Sequence, residues 1–344
     1  MPPLCSVNRS TAATHEQNAN PVLPVRFPLR TFALSAPLRY LFSAFMSPHL
    51  ISRATILGTG LIGGSFALAL RKYTTDLHIS GWDRPDIIRE ARARNVVDEA
   101  FTSDLAPALR AADLIYIALP IGVTIDLLPE VARLAPKHAL VTDACSTKLR
   151  IAQSAAENFS APATALFLGG HPMAGREVSG VSQADADLFR NAPYALVSDS
   201  SEPREPSPSE TQRDPRVSAF LKLLEKIGAR PLWLGAQQHD YAVGMVSHLP
   251  QLAAVALGSF LYDHLDENGL PITVAGSGLR DSLRLAGSPY STWRDIVLTN
   301  REVLSAALDL FARRLDDLRE RLNTRELEAD FDAANELYKL LRSL

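Results

Sequence analysis

Two groups of residues in this sequence have types and spacings that suit chemistry. The first is Ala54-Thr55-Ile56-Leu57-Gly58-Thr59-Gly60-Leu61-Ile62-Gly63-Gly64-Ser65, an apolar run entering glycines spaced G-x-G-x-x-G. At a strand–turn–helix, Gly58 permits the tight turn, Gly60 lets backbone approach a pyrophosphate, and Gly63 lets the helix pack closely on the strand. Leu61 and Ile62 then present N–H groups at a helix N-terminus, where the helix dipole is positive. The next apolar run, Leu77-His78-Ile79-Ser80-Gly81-Trp82-Asp83, ends on an acid 20 positions after Gly63. A carboxylate there accepts hydrogen bonds from a ribose diol. Together these residues predict a nicotinamide-dinucleotide site. Asp83 would repel a 2′-phosphate and favours NAD, while Arg84 beside it is able to hold that phosphate and keeps NADP open.

The second group follows two later apolar runs. Asp143-Ala144-Cys145-Ser146-Thr147-Lys148 comes after Val141-Thr142, and Gly169-Gly170-His171-Pro172-Met173-Ala174-Gly175-Arg176-Glu177 after Leu166-Phe167-Leu168. In such folds ligands sit beyond the carboxyl ends of the strands. His171, flanked by Gly-Gly and Pro, has little reason to be there for packing, and an imidazole titrates near the working pH of a proton acceptor. On spacing alone, a single loop histidine is more often incidental than catalytic.

The elements that must position these residues alternate between strand and helix from Ala54 to about Gly235. Residues 113–119 and 139–143 are nearly continuous apolar runs, as expected for parallel strands buried on both faces. Residues 163–168, 194–197 and 231–234 add further strands. The pattern predicts an α/β fold, an N-terminal Rossmann doubly wound parallel sheet over 51–235, with a Pro- and Ser-rich flexible insertion at about 198–216. An all-helical domain is expected over 236–344. Its first long helix, 240–261, is predicted to kink at Pro250. A second runs from Ser291 to about Leu322. There Leu304, Leu308, Phe311, Leu315, Leu318 and Leu322 form a seam of 4-3-4-3-4 spacing, which serves either packing within the domain or a homodimer interface. Its length and polar outer face favour the dimer.

Composition sets outer bounds. The 344 residues have 47% hydrophobic and 21% charged content and a formal net charge of −3, ordinary for a soluble enzyme and no support for nucleic-acid binding. Cys5 and Cys145 are the two cysteines, so no disulfide framework is expected, and a reducing, cytoplasmic setting is. No membrane-spanning run and no metal site are expected. Residues 1–50 differ from the rest, with seven prolines, four arginines and one acid, Glu16. They read as a targeting leader or, preferably, as sequence upstream of a true start at Met46, and in either case as a disordered or loosely attached tail.

Five motifs in order carry a family resemblance: Gly58 to Ser65, Asp143 to Lys148, Gly170-His171-Pro172-Met173-Ala174-Gly175, Ser247-His248-Leu249-Pro250, and Gly278-Leu279-Arg280-Asp281-Ser282-Leu283-Arg284. Over about residues 53 to 325 the chain resembles the prephenate and arogenate dehydrogenases of tyrosine biosynthesis. The resemblance implies an NAD-dependent oxidative decarboxylation of prephenate. In it, His171 matches the catalytic histidine that takes the proton of the ring C4 hydroxyl, and Ser146 the serine contacting that hydroxyl and the nicotinamide. Arg284 matches an arginine holding a substrate carboxylate, His248 a second pocket histidine, and Trp293 a pocket aromatic. Glu177 and Asp281 match acids of an ionic network that closes the site. Gln251 departs from the family's usual Ser-His-Leu-Pro-His, which alters pocket polarity and leaves His171 and His248 in place.

That chemistry is self-consistent. Hydride loss from C4 with departure of carbon dioxide creates an aromatic ring, so the protein must supply orientation, a proton acceptor and cationic clamps. The rigid fork of Arg284 suits a carboxylate, although it is also placed to pair with Asp281 on one helix face. A Cys145 nucleophile is not needed. Arogenate or dual-specificity cyclohexadienyl dehydrogenase is the nearest alternative, and a dinucleotide-sensing regulator without turnover a more distant one. A 3-hydroxyacid dehydrogenase would need a lysine on the inter-domain helix, and residues 240–261 contain none.

Overall fold

The structure, a computed structural model, describes residues 51–160, 164–176, 178–197, 213–265 and 270–343. The expected tail of residues 1–50 and most of the insertion at 198–216 lie outside the described residues. The end of that insertion is helical: Asp214 caps a helix by accepting from Arg216 N, with Pro215 in its first turn, where a missing N–H costs nothing.

Eight strands form one sheet: β1 (Arg53–Leu57), β2 (His78–Trp82), β3 (Glu99–Phe101), β4 (Leu114–Ile117), β5 (Leu140–Asp143), β6 (Leu166–Pro172), β7 (Pro193–Val197) and β8 (Arg230–Leu234), in the order β3-β2-β1-β4-β5-β6-β7-β8. Pairings from β3 through β6 are parallel, β6–β7 is antiparallel, and β7–β8 is parallel again. Strand order reverses between β1 and β4, which opens a crevice at their carboxyl ends. β4 and β5 are buried throughout. Edge strand β3 carries no apolar run and two of its three residues are exposed, so periodicity misses it.

Helices cover both faces: α1 (Leu61–Tyr73), α2 (Pro85–Ala93), α3 (Ala106–Leu109), α4 (Ile121–Leu134), α5 (Leu149–Asn158) and α6 (Pro215–Lys226). Phe66 of α1 stacks on Tyr116 of β4 with ring centroids 3.9 Å apart, and both are fully buried. Deleting such a side chain costs about 3–5 kcal/mol.

After β8 every described element is helical: α7 (Ala236–Val243), a π turn (Gly244–His248), α8 (Leu249–Asp263), α9 (Leu270–Thr273), α10 (Ser277–Leu283), α11 (Tyr290–Thr299), α12 (Arg301–Glu320) and α13 (Glu328–Arg342). Three expectations need correction. The first long helix begins at Ala236, and its irregularity is the π turn ahead of Pro250. Pro250 itself sits in the first turn of α8, directly after that π turn. The second long helix is interrupted between Thr299 and Arg301, because Asn300 turns inward and is buried. The run Ala236–Asp263 is, by length and mean hydropathy of 1.3, sufficient to cross a membrane. In the fold its N-terminal part carries the buried polar residues His239, Asp240, His248 and Gln251, while Val255, Leu257, Phe260 and Tyr262 of its C-terminal part are exposed. Of the predicted seam, Leu304 is buried, while Leu308, Phe311, Leu315 and Leu322 stay exposed.

Candidate active site

The glycine loop lies at the carboxyl end of β1. Gly58 has φ +90°, and a Cβ there would fall 2.4 Å from the Ala118 carbonyl oxygen. A Cβ on Gly63 would fall 1.9 Å from the Gly58 carbonyl oxygen. Neither position accepts another residue without backbone movement. Around Gly60 the space is open, and α1 starts there with no side-chain cap and no acid in its first turn. Its free N–H groups suit an anion. Asp83, past the end of β2, accepts from the Thr59 backbone N–H at 2.7 Å and its hydroxyl at 3.2 Å, and from Arg84 N at 2.7 Å. An oriented carboxylate beside open backbone N–H groups fits a dinucleotide.

β6 continues beyond the expected strand end. Leu166–Leu168 pair with β5, and Gly169–Pro172 pair antiparallel with β7, His171 opposite Ala195. His171 therefore stands on a strand, held by the ladder, and is not a loop residue. Gly170 touches the backbone of Asp143 so closely that a Cβ would lie 2.6 Å from its carbonyl oxygen. The buried Asp143–Lys148 ion pair clamps the same residue: Asp143 Oδ1 accepts from Gly170 N at 3.1 Å, and Lys148 Nζ donates to Gly170 O at 2.6 Å. Ser146 is half-buried on the intervening loop. Thr147 meets Thr299 of α11, hydroxyl to hydroxyl at 2.7 Å.

α7 and the π turn cap this end of the sheet. Asp240 accepts from Lys148 N at 2.6 Å and Leu149 N at 2.9 Å, anchoring α7 on the start of α5. His239 Nδ1 lies 2.8 Å from Asp240 Oδ1, and its Nε2 2.9 Å from His171 Nδ1. Asn300 donates to the Asp240 carbonyl oxygen at 2.9 Å and to His248 Nδ1 at 3.2 Å. His248 is thereby an acceptor at Nδ1 and a donor at Nε2. It also meets Trp293 edge to face, 5.8 Å between centroids. Gly244 opens the π turn where a Cβ would strike Val303 of α12 at 2.6 Å.

Burial holds all three imidazoles below the ordinary histidine range. Desolvation is the main cause for His171, which lies well below it, with His239, Lys148 and His248 adding to the effect. His239 is lowered by burial against the opposing pull of Asp240, and His248 is lowered by burial to about 4. The site is thus a set of neutral imidazoles above an ion pair. The Cys145 thiol, buried away from solvent, is pushed up by desolvation and the Asp143 charge, which removes it as a nucleophile.

Among the expected residues, the structure brings His171, His248 and Trp293 onto one shared framework with the Ser146 loop. Arg284 and Asp281 are exposed at and near the end of α10. Gln251 Nε2 donates to Leu285 O at 2.8 Å, tying the turn after Arg284 to α8, three residues from His248. Glu177 lies outside the described residues. The residues that sequence reasoning passed over are His239, Asp240, Asn300 and the clamping role of Lys148. The adjacent His-Asp pair at the head of an apolar helix is the signal that was available.

The chain matches the family model described as "Prephenate dehydrogenase, nucleotide-binding domain" over residues 66–232 and "Prephenate dehydrogenase, dimerization domain" over 235–342. It is 34% identical to a prephenate dehydrogenase of Lactococcus lactis over 280 residues, covering 81% of this chain and 73% of that one. To a cyclohexadienyl dehydrogenase of Zymomonas mobilis it is 30% identical, covering 77% and 86%. Among solved structures, prephenate dehydrogenase from A. aeolicus in complex with hydroxyphenyl propionate and NAD+ superposes with a TM-score of 0.73 at 27% identity, covering 85% of this chain and 98% of that one. With both family regions matched in order and these identities over most of its length, the chain belongs to the prephenate dehydrogenase family.

Proposed function

We propose that this protein is an NAD-dependent prephenate dehydrogenase, converting prephenate to 4-hydroxyphenylpyruvate and carbon dioxide in tyrosine biosynthesis. One observation carries the reading. The glycine loop with Asp83, and a neutral His171 held by strand pairing and an ion pair, share the carboxyl edge of one mostly parallel sheet. NAD, when bound, accepts the hydride. Gly58, Gly60, Leu61, Ile62 and Gly63 form its phosphate cradle and Asp83 its ribose contact.

His171 accepts the proton of the C4 hydroxyl as hydride leaves C4, and the electrons of the breaking C1–carboxylate bond complete the aromatic ring. The proton then returns to the phenolate oxygen. Ser146 orients that hydroxyl, and His248 donates from Nε2 into the pocket with Trp293 beside it. Arg284 holds a substrate carboxylate, and Asp281 and Glu177 close the site. The division into a dinucleotide-binding part, 51–235, and a helical part, 236–344, belongs to the same reading. So do a homodimer through the exposed apolar face of α12 and residence in the cytoplasm.

Initial rates with prephenate and with arogenate, each against NAD and NADP, test the assignment. Turnover of prephenate with NAD is expected to dominate. Preference for arogenate would move the chain to the arogenate or cyclohexadienyl members of the family.

A further inference from the structure

Asp240, His239 and His171 form a hydrogen-bonded chain whose proton positions follow from valence. Asp240 accepts from two backbone N–H groups, Lys148 and Leu149, at 2.6 and 2.9 Å, and a carboxylate, which has acceptors and no hydrogen to give, accepts in its third contact as well. His239 Nδ1, 2.8 Å from Asp240 Oδ1, must then carry a hydrogen. The ring is buried and neutral, and a neutral imidazole has one N–H, so His239 Nε2 is a bare lone pair. It faces His171 Nδ1 at 2.9 Å. Two lone pairs at that distance would repel, so the hydrogen between them sits on His171 Nδ1. His171 is neutral too, which leaves its Nε2 unprotonated.

We infer that His239 and Asp240 are positioning residues for this reaction: through two hydrogen bonds in series they hold His171 as the Nδ1–H tautomer and so make Nε2 its proton-accepting atom. This rests on the reading of His171 as the base. A free imidazole favours the opposite tautomer, with hydrogen on Nε2, which would donate to a substrate hydroxyl and take nothing from it. The relay removes that state. It also prepares for proton uptake at Nε2. The imidazolium that forms keeps its Nδ1–H bond to His239, and the Asp240 carboxylate lies one ring further along the line of developing charge. The other charged and titratable groups around His171 do not do this. Lys148 is occupied by Asp143 and the Gly170 carbonyl, and His248 is held through Asn300.

The test uses the full-length protein with ¹⁵N-labelled histidine. In the wild type, the His171 ring, identified by its loss in His171→Asn, is expected to show a protonated Nδ1 and an unprotonated Nε2. His239→Leu removes the acceptor; His239→Gln retains one, because its carboxamide oxygen can accept from His171 Nδ1–H. The leucine variant is expected to lose about 10- to 100-fold in kcat, the usual worth of a supporting hydrogen-bond partner, to keep its KM for prephenate within about two-fold, and to shift hydrogen to Nε2. The glutamine variant is expected to recover most of kcat with the wild-type tautomer. A wild-type His171 protonated at Nε2 overturns the inference even if no variant folds, and so does a folded His239→Leu enzyme with unchanged kcat. Full turnover in His171→Asn would instead remove the base assignment, leaving the tautomer reading to the spectra.

Discussion

Lys148 donates to the carbonyl oxygen of Gly170 at 2.6 Å, while its ion-pair partner Asp143 accepts from the N–H of the same residue at 3.1 Å. One buried pair thus grips both backbone groups of the residue before His171. Lys148→Met leaves a carboxylate buried without its partner, and is expected to cost about 3–5 kcal/mol of stability. The double variant Lys148→Met/Asp143→Asn should regain part of that. Denaturant titration measures both, and a loss below about 1 kcal/mol in the single variant would show that the clamp is not structural.

His171→Asn should leave the fold and NAD affinity nearly unchanged and lower turnover by about two to four orders of magnitude, the range for a positioned general base. Near-normal turnover in this variant would sink the assignment.

The pH profile follows from the same ring. The protonated imidazole cannot accept a proton, so activity is present above the His171 pKa and lost as pH falls through it. Burial holds that pKa well below the usual 6.5, so kcat/KM should be flat through neutrality, with its acid limb below pH 6.5. A limb at or above 6.5 contradicts the buried, neutral ring.

Stability should respond to acid through His248. Its folded pKa of about 4 lies below the unfolded value of 6.5, so the unfolded chain binds the extra proton and stability falls as pH drops from about 6.5 to about 4. At about 1.4 kcal/mol per pH unit, the contribution is at most about 3–4 kcal/mol. His248→Phe should reduce this slope in urea titrations across that window, leaving the share of His171 and His239, which burial lowers as well.

If Asp83 is the ribose contact, Asp83→Ala should weaken NAD binding and shift preference toward NADP, because such an acid accepts from a ribose diol and repels a phosphate. A wild type that already prefers NADP would mean that Arg84 outweighs Asp83.

For Arg284 the binding and structural roles diverge. As a carboxylate clamp, Arg284→Ala raises KM for prephenate by about one to three orders of magnitude and spares NAD affinity. If it only pairs with Asp281 on the exposed helix face, the change costs less than about 1 kcal/mol of stability and leaves KM alone. Arg284→Lys, which keeps charge and loses the fork, should recover only part of the affinity.

What the sequence determined by itself was local. The glycine loop is legible because Gly58 at φ +90° and the contact under Gly63 are demands of one strand–turn–helix, met within a dozen residues. The buried strands β4 and β5 are legible because parallel strands covered on both faces must be apolar throughout. His171 stood out through its glycine and proline neighbours, although only the antiparallel pairing with β7 shows it to be a strand residue. The tertiary structure alone decided what surrounds that histidine. His171 meets His239 across 68 positions, Lys148 meets Asp240 across 92, and Asn300 meets His248 across 52. Within α7 a histidine beside an aspartate has no periodic signature, and Asn300 reads as one polar residue in a long helix. Their roles arise because the sheet's carboxyl edge fixes where α7, the π turn and α12 sit, and a buried polar group in that position must find its partner there, however far along the chain that partner lies.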